Sequence, residues 1–214
     1  PLTLKTPKPL LEINNSTLLE RAINLLMSHG VQEISINVHY LSDQIQTFIN
    51  KKKYQVRIII SNEEDLLLDT GGGVLKGTQS FGDNPFFVIN PDTVWSKGYS
   101  EELKSLEISY LKNKNPTLLL VNKKLSIDPS FQGDFNLNNE KITKDDDNQF
   151  IFTGLQIINR DILIDEKSKV FSMNKVWNKL IKDKRLQGLE SNQKFYHLNT
   201  FDMYKKILSL NIID

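Results

Sequence analysis

Four short stretches hold residues whose types and spacing could do chemistry. Thr6-Pro7-Lys8-Pro9 sets a lysine between two prolines. Each proline fixes φ at about −65° and restrains the residue before it, so the ammonium is presented from a stiff backbone. A compact point charge held this way suits a phosphate, although a surface loop with an incidental lysine is the plainer reading. Asp69-Thr70-Gly71-Gly72-Gly73 lies between a strand-like and a helix-like segment. Successive glycines let the backbone approach a ligand closely and leave amides free at a helix start, suited to an anion or to polar base edges. The run is not a P-loop, because Thr78-Gln79 follows Gly77 where Lys-Ser/Thr is required, and Lys76 spoils the dinucleotide fingerprint. A tight turn with close helix–strand packing explains it equally well. Asn90-Pro91-Asp92 follows an apolar strand, where a carboxylate can hold Mg²⁺ beside a nucleotide's phosphates or can cap a turn. His197, within Phe195-Tyr196-His197-Leu198-Asn199-Thr200, reads first as a core or cleft histidine.

Other candidates are weaker. His29 reads as a helix C-cap and His39 follows a strand, and no two histidines have metal-ligand spacing. No Gly-x-Ser-x-Gly elbow supports a hydrolase. Asp145-Asp146-Asp147 reads as a solvated turn, although its Asp-x-Asp spacing formally matches a glycosyltransferase metal pair.

The elements that must position these residues alternate in type. Helical spacing is predicted over 18–27 (capped by Asn15 or Ser16), 42–49 (capped by Ser42), 73–79, 100–112, 173–181 and 201–210. Strands are predicted over 34–38, 56–60, 86–89, 117–121, 135–137, 150–158 and 196–198, with 138–149 as a polar hairpin loop. Such alternation argues for a parallel or mostly parallel α/β sheet, with ligands at the carboxyl ends of its strands. The 214 residues, 39% hydrophobic and 25% charged, suffice for one domain over 1–214. With no cysteine, disulfides, thiolate metal sites and a cysteine nucleophile are excluded. The balance of 27 basic against 26 acidic residues offers no pull toward nucleic acid or membrane. No apolar run reaches the ~20 residues of a membrane span, and a cytoplasmic setting is expected.

In order along the chain, these pieces resemble a family. The segment from Pro1 to Leu11 is similar to the stretch that follows the glycine-rich signature of bacterial sugar-1-phosphate nucleotidyltransferases. Leu68 to Lys76 resembles their second glycine segment, and Asn84 to Asp92 the strand delivering their metal aspartate. Gly133-Asp134-Phe135 and Thr153-Gly154 are similar to sugar-facing segments, and Tyr196 to Thr200 occupies the closing Asp-x-Gly-Thr motif. The resemblance is nearest to the N-acetylmuramate α-1-phosphate uridylyltransferase branch, with mannose-1-phosphate guanylyltransferase-like members close behind. It implies a Rossmann-like three-layer α/β/α sandwich around a mixed, mostly parallel sheet, and transfer of a nucleotidyl group from a nucleoside triphosphate, UTP or GTP favoured, to a sugar-1-phosphate. It implies Lys8 on phosphate, Thr70, Gly71, Gly72 and Gly73 along the base and ribose, and Asp92 on Mg²⁺. Gly133, Thr153 and Gly154 would face the sugar phosphate, and Asn90 would support the Asp92 loop or meet the sugar. His197 stands at the position of the second metal aspartate, and Pro91 at that of a usual Gly. The resemblance also places the glycine-rich loop and first strand of the family before Pro1. A nucleotide- or sugar-phosphate-binding module is the alternative from another class. Oligomeric state is left open.

Overall fold

The structure is a computed structural model, and it describes residues 5–210 and 212. Pro1 to Leu4 of the first family-like segment lie outside the described residues. The first strands among the described residues form a hairpin of β1 (Glu12–Ile13) and β2 (Ser16–Thr17), closed by Asn14 and Asn15 at φ 50° and 63°. Those paired left-handed residues are what a two-residue hairpin turn requires. They leave Thr17, not Asn15 or Ser16, to cap α1 (Leu18–Ser28): its Oγ1 accepts from the Glu20 amide at 3.1 Å. Strand β3 (Glu33–Val38), α2 (Ser42–Lys52) and β4 (Arg57–Asn62) follow, with β3 and β4 paired in parallel. Helix α3 (Asp69–Gly77) begins four residues before the expected start at Gly73, so the glycines lie inside it. Then come β5 (Phe86–Ile89), α4 (Ser100–Asn113) and β6 (Thr117–Asn122).

In the second half, β7 (Asn136–Asn138) and β8 (Lys141–Thr143) form a hairpin inside what the sequence suggested was a loop. Asn139 and Glu140, at φ 46° and 64°, make its turn. Strand β9 (Phe150–Ile158) has the expected bounds, followed by α5 (Asp161–Ile164), α6 (Met173–Lys182), β10 (Gln187–Ser191) and α7 (Phe201–Leu208). The six-stranded sheet has order β5-β9-β6-β10-β8-β7. It is mixed, but less parallel than the alternation suggested: β9 runs antiparallel to both β5 and β6, and only β6 and β10 pair in parallel within it. Residues 196–198 are not a strand; His197 makes a single antiparallel bridge to Thr93.

Strand β6 shows why there are three layers. Its residues are buried on both faces; Leu119 joins a core with α1 and α4, whereas Leu118 and Leu120 join one with α6. The period-2 alternation of a strand feeds two cores at once. A third cluster, Leu11, Ile13, Leu18, Val94, Leu198, Met203 and Ile207, packs α7 beneath the hairpin and the start of α1. No helix among the described residues is long and apolar enough to cross a membrane.

Candidate active site

Asp92 and His197, far apart in the chain, are brought together by backbone pairing. The Leu198 amide donates to the Asp92 carbonyl at 2.8 Å, and the Val94 amide donates to the Tyr196 carbonyl at 2.9 Å. These bonds flank the Thr93–His197 bridge and set the two side chains side by side, His197 Nδ1 lying 3.8 Å from Asp92 Oδ1. The imidazole stacks on Phe195 and meets Phe131 edge-on, with centroids 5.8 and 5.7 Å away. Burial pushes its pKa below the ordinary value; Asp92 opposes this and Lys8 adds to it. The ring is therefore largely neutral near pH 7. Behind it, Asn199 donates to Asp128 at 2.7 Å, and the Ser130 hydroxyl and amide hold the Asp128 carboxyl below the usual carboxylate range.

Lys8 opens a single 3₁₀ turn, Lys8–Leu10, directly after Pro7. Its ammonium lies 2.9 Å from Asp92 Oδ2, so the first and third candidate stretches meet in one ion pair. On the other flank, the Asn90 amide donates to Gly154 O at 2.8 Å, and the Thr93 hydroxyl donates to Thr153 O at 2.7 Å. Gly154 has φ +92°, and a Cβ there would stand 2.9 Å from Asn90 Cβ, so a side chain would push the Asp92 loop outward. Asn90 and Pro91, next to this cluster, line a cleft of about 970 Å³ whose wall also holds Thr70, Gly73, Asp134, Gln156 and Asn174 together with apolar side chains of α1, β3 and β5.

A nucleotidyl transferase family model matches residues 1–124, more than half of the chain. The chain belongs to the nucleotidyl transferase family. It is similar to the N-acetylmuramate alpha-1-phosphate uridylyltransferase of Caulobacter vibrioides, with 25% identity over 206 residues, 92% of this chain and 85% of that protein. The mannose-1-phosphate guanyltransferase of Hypocrea jecorina is 34% identical over 108 residues, 49% of this chain and 29% of that one. The solved structure of HddC from Yersinia pseudotuberculosis complexed with GMP-PN superposes with a TM-score of 0.76 at 21% identity, covering 94% of this chain and 88% of that one.

Two expectations about the site of this nucleotidyl transferase need correcting. The Gly71 and Gly72 amides both donate to the Phe171 carbonyl, at 2.9 and 3.1 Å, and do not face the cleft. A Cβ on Gly71 would meet the Phe171 ring at 2.4 Å, and one on Gly72 would meet the Lys169 carbonyl oxygen at 2.1 Å. These two glycines admit the 169–171 segment, while the Thr70 hydroxyl accepts the Met173 amide at 2.9 Å and a Cβ on Gly73 would stand 2.8 Å from Glu63 Oε1. Thr153 is 1% exposed and its hydroxyl donates to Leu119 O at 2.9 Å, so it braces β9 against β6 and cannot meet a sugar phosphate. Gly133, at φ +85°, packs on the Asn148 carbonyl, which explains a glycine there without a ligand. Asp145 and Asp147 lie exposed in the loop after β8, near Asn136 and Lys123.

Several residues that position the site escaped sequence reasoning. Buried Glu63 accepts from Asn37 Nδ2 at 2.7 Å and from the Leu68 amide at 3.1 Å, while Asn37 also donates to Gly73 O at 2.8 Å. This network ties β3 and β4 to the glycine helix. Its one visible signal was a carboxylate just past an apolar strand, in Ser61-Asn62-Glu63. Asp134 reaches the cleft with Oδ2 accepting the Phe152 amide at 2.8 Å. The described residues contain no cluster of three or more His, Asp or Glu set to hold a metal. Asp92 Oδ1 is shielded and has no hydrogen-bond partner, and an imidazole faces it. One oxygen and one nitrogen donor fit a divalent cation whose remaining ligands come from phosphates and water.

Proposed function

We propose that the chain joins a nucleoside triphosphate to a sugar-1-phosphate, releasing pyrophosphate and forming a nucleotide sugar. The observation that carries this reading is the Lys8–Asp92 ion pair, clamped beside His197 at the edge of a cleft of about 970 Å³. An oxygen of the sugar-1-phosphate attacks the α-phosphorus in line, the bond to the β-phosphate bridging oxygen breaks, and pyrophosphate leaves. Such a transfer needs positioning and charge neutralisation more than covalent help.

Lys8 moves its ammonium from Asp92 to the phosphate oxygens, where negative charge builds in the transition state. Thr70 and Gly73 line the base and ribose, with Asn37 and Glu63 fixing the turn that presents them. Asn90 and Asp134 border the sugar phosphate, and Gly154 keeps the Asn90 loop seated. Asp92 and His197 would hold a divalent cation, Mg²⁺ on the family resemblance, which supplies neutralisation of the phosphate charge. The Caulobacter relative suggests UTP and N-acetylmuramate-1-phosphate, and the guanyltransferase relative GTP and mannose-1-phosphate. A pyrophosphate-release screen of both triphosphates against both sugar phosphates tests the reading. Release above background from one pairing supports it, and silence across the screen in a folded protein contradicts it for these substrates.

A further inference from the structure

Asp92 carries one oxygen that the protein leaves unsatisfied. Oδ2 takes the Lys8 ammonium at 2.9 Å, while Oδ1 is shielded and unpartnered, with His197 Nδ1 standing 3.8 Å away. A shielded carboxylate oxygen without a donor is costly, which marks the gap between Oδ1 and Nδ1 as a receiving position. Two neighbouring ligands of an octahedral ion, each bonded at about 2.1 Å, lie about 3 Å apart. The observed 3.8 Å is somewhat longer than that separation. The imidazole is already orientated, its ring stacked on Phe195 and its backbone locked to Asp92 through the Leu198 amide.

The chemistry of the pair is uneven. Mg²⁺ demands oxygen donors and keeps its water, whereas imidazole suits the later first-row ions. We propose that His197 makes the Asp92 site favour a first-row transition ion over Mg²⁺, with Mn²⁺ serving as the probe of that preference. A carboxylate and phosphates suit Mn²⁺ as well as Mg²⁺, so the nitrogen donor is what separates the two ions. This inference rests on the proposed reading that Asp92 holds the metal.

The test uses the full chain with Mn²⁺ as the probe, with and without UTP or GTP. Pulsed electron paramagnetic resonance reads nitrogen coupling to bound Mn²⁺, and competition calorimetry gives the Mn²⁺-to-Mg²⁺ affinity ratio. The expected result is imidazole nitrogen coupling in the parent protein, lost in His197→Asp. The affinity ratio should fall about tenfold or more in that variant, as removal of a nitrogen ligand implies. If His197→Asp does not fold, a protein carrying His29→Gln and His39→Gln must retain the coupling, since His197 is then its sole histidine. Bound Mn²⁺ without nitrogen coupling, an unchanged affinity ratio, or no Mn²⁺ binding under any of these conditions overturns the inference. Pyrophosphate release that prefers Mg²⁺ would leave the proposed function standing and this inference refuted. Nitrogen coupling in a protein that releases no pyrophosphate would do the reverse.

Discussion

A methyl group at Gly72 tests what the glycine run is for. The added Cβ would sit 2.1 Å from the carbonyl oxygen of Lys169 and 3.3 Å from its carbonyl carbon. Favourable separations between such atoms are about 3.5 Å or more, so the overlap exceeds about 1 Å, and both partners are backbone that no rotamer change can move. The 169–171 segment must shift, which strains the bonds from the Gly71 and Gly72 amides to Phe171 O and from the Phe171 amide to Leu68 O. Overpacking of this kind costs about 1–3 kcal/mol, and each weakened hydrogen bond adds about 1 kcal/mol. Against this, alanine gains about 1 kcal/mol over glycine inside a helix. The net expectation is a loss of about 3–5 kcal/mol, or roughly 6–20 °C in Tm for a chain of this size. Calorimetric unfolding of Gly72→Ala against the parent protein reads this loss. An unchanged or raised Tm in Gly72→Ala, with nucleotide affinity lost, would refute the reasoning and return the glycine to the ligand.

Other perturbations should behave as follows. Lys8→Met is expected to lower turnover by about 10²–10³, as losing one transition-state charge donor does, while Tm moves little because the ion pair is partly exposed. Turnover within a few-fold of the parent would remove Lys8 from the reaction. Asp92→Asn should abolish metal-dependent turnover, and an unaltered metal dependence would take Asp92 out of the site. Asp128 has a carboxyl pKa lowered by Ser130, so its stabilisation is present above the unfolded value of about 3.9 and lost as pH falls through the folded value. Asp128→Asn should therefore be less stable than the parent at pH 7 and approach it in thermal unfolding as pH falls below the folded value. Parallel Tm curves across that range would refute this assignment.

What could be read in the sequence was whatever rests on local periodicity. Strands β5 and β9 have the expected bounds, and α1, α4 and α6 end within a residue or two of their apolar patterns. Strand β10 was invisible because Gln187-Gly188-Leu189-Glu190-Ser191 neither alternates nor runs apolar. Its place is set by neighbours, since Gly188 leaves room for side chains of Leu120, Leu137 and Ile142, each 3.0 Å from where its Cβ would be. Phe195 to Leu198 has strand composition but finds only isolated bridges, from Phe195 to Ser126 and from His197 to Thr93, and serves instead to hold His197 against Asp92. The glycine run shows the deeper limit. Three glycines at a helix start admit a ligand or a chain segment with equal ease, and only the fold reveals that Phe171, about a hundred residues on, takes the amides of Gly71 and Gly72. The pairing of Lys8 with Asp92 is likewise a property of tertiary structure, although both side chains could be singled out by chemistry alone.

The central claim is that Lys8, Asp92 and the neighbouring cleft transfer a nucleotidyl group to a sugar phosphate. The most direct measurement is pyrophosphate release by the folded protein, supplied with Mg²⁺ or Mn²⁺, across UTP, GTP, CTP and dTTP. N-acetylmuramate-, mannose-, glucose- and N-acetylglucosamine-1-phosphate serve as acceptors. The account predicts metal-dependent release with one pairing, lost in both Lys8→Met and Asp92→Asn. Release that persists undiminished in both variants, or none with any pairing while calorimetry detects nucleotide binding, would contradict it, the second outcome pointing to a binding module.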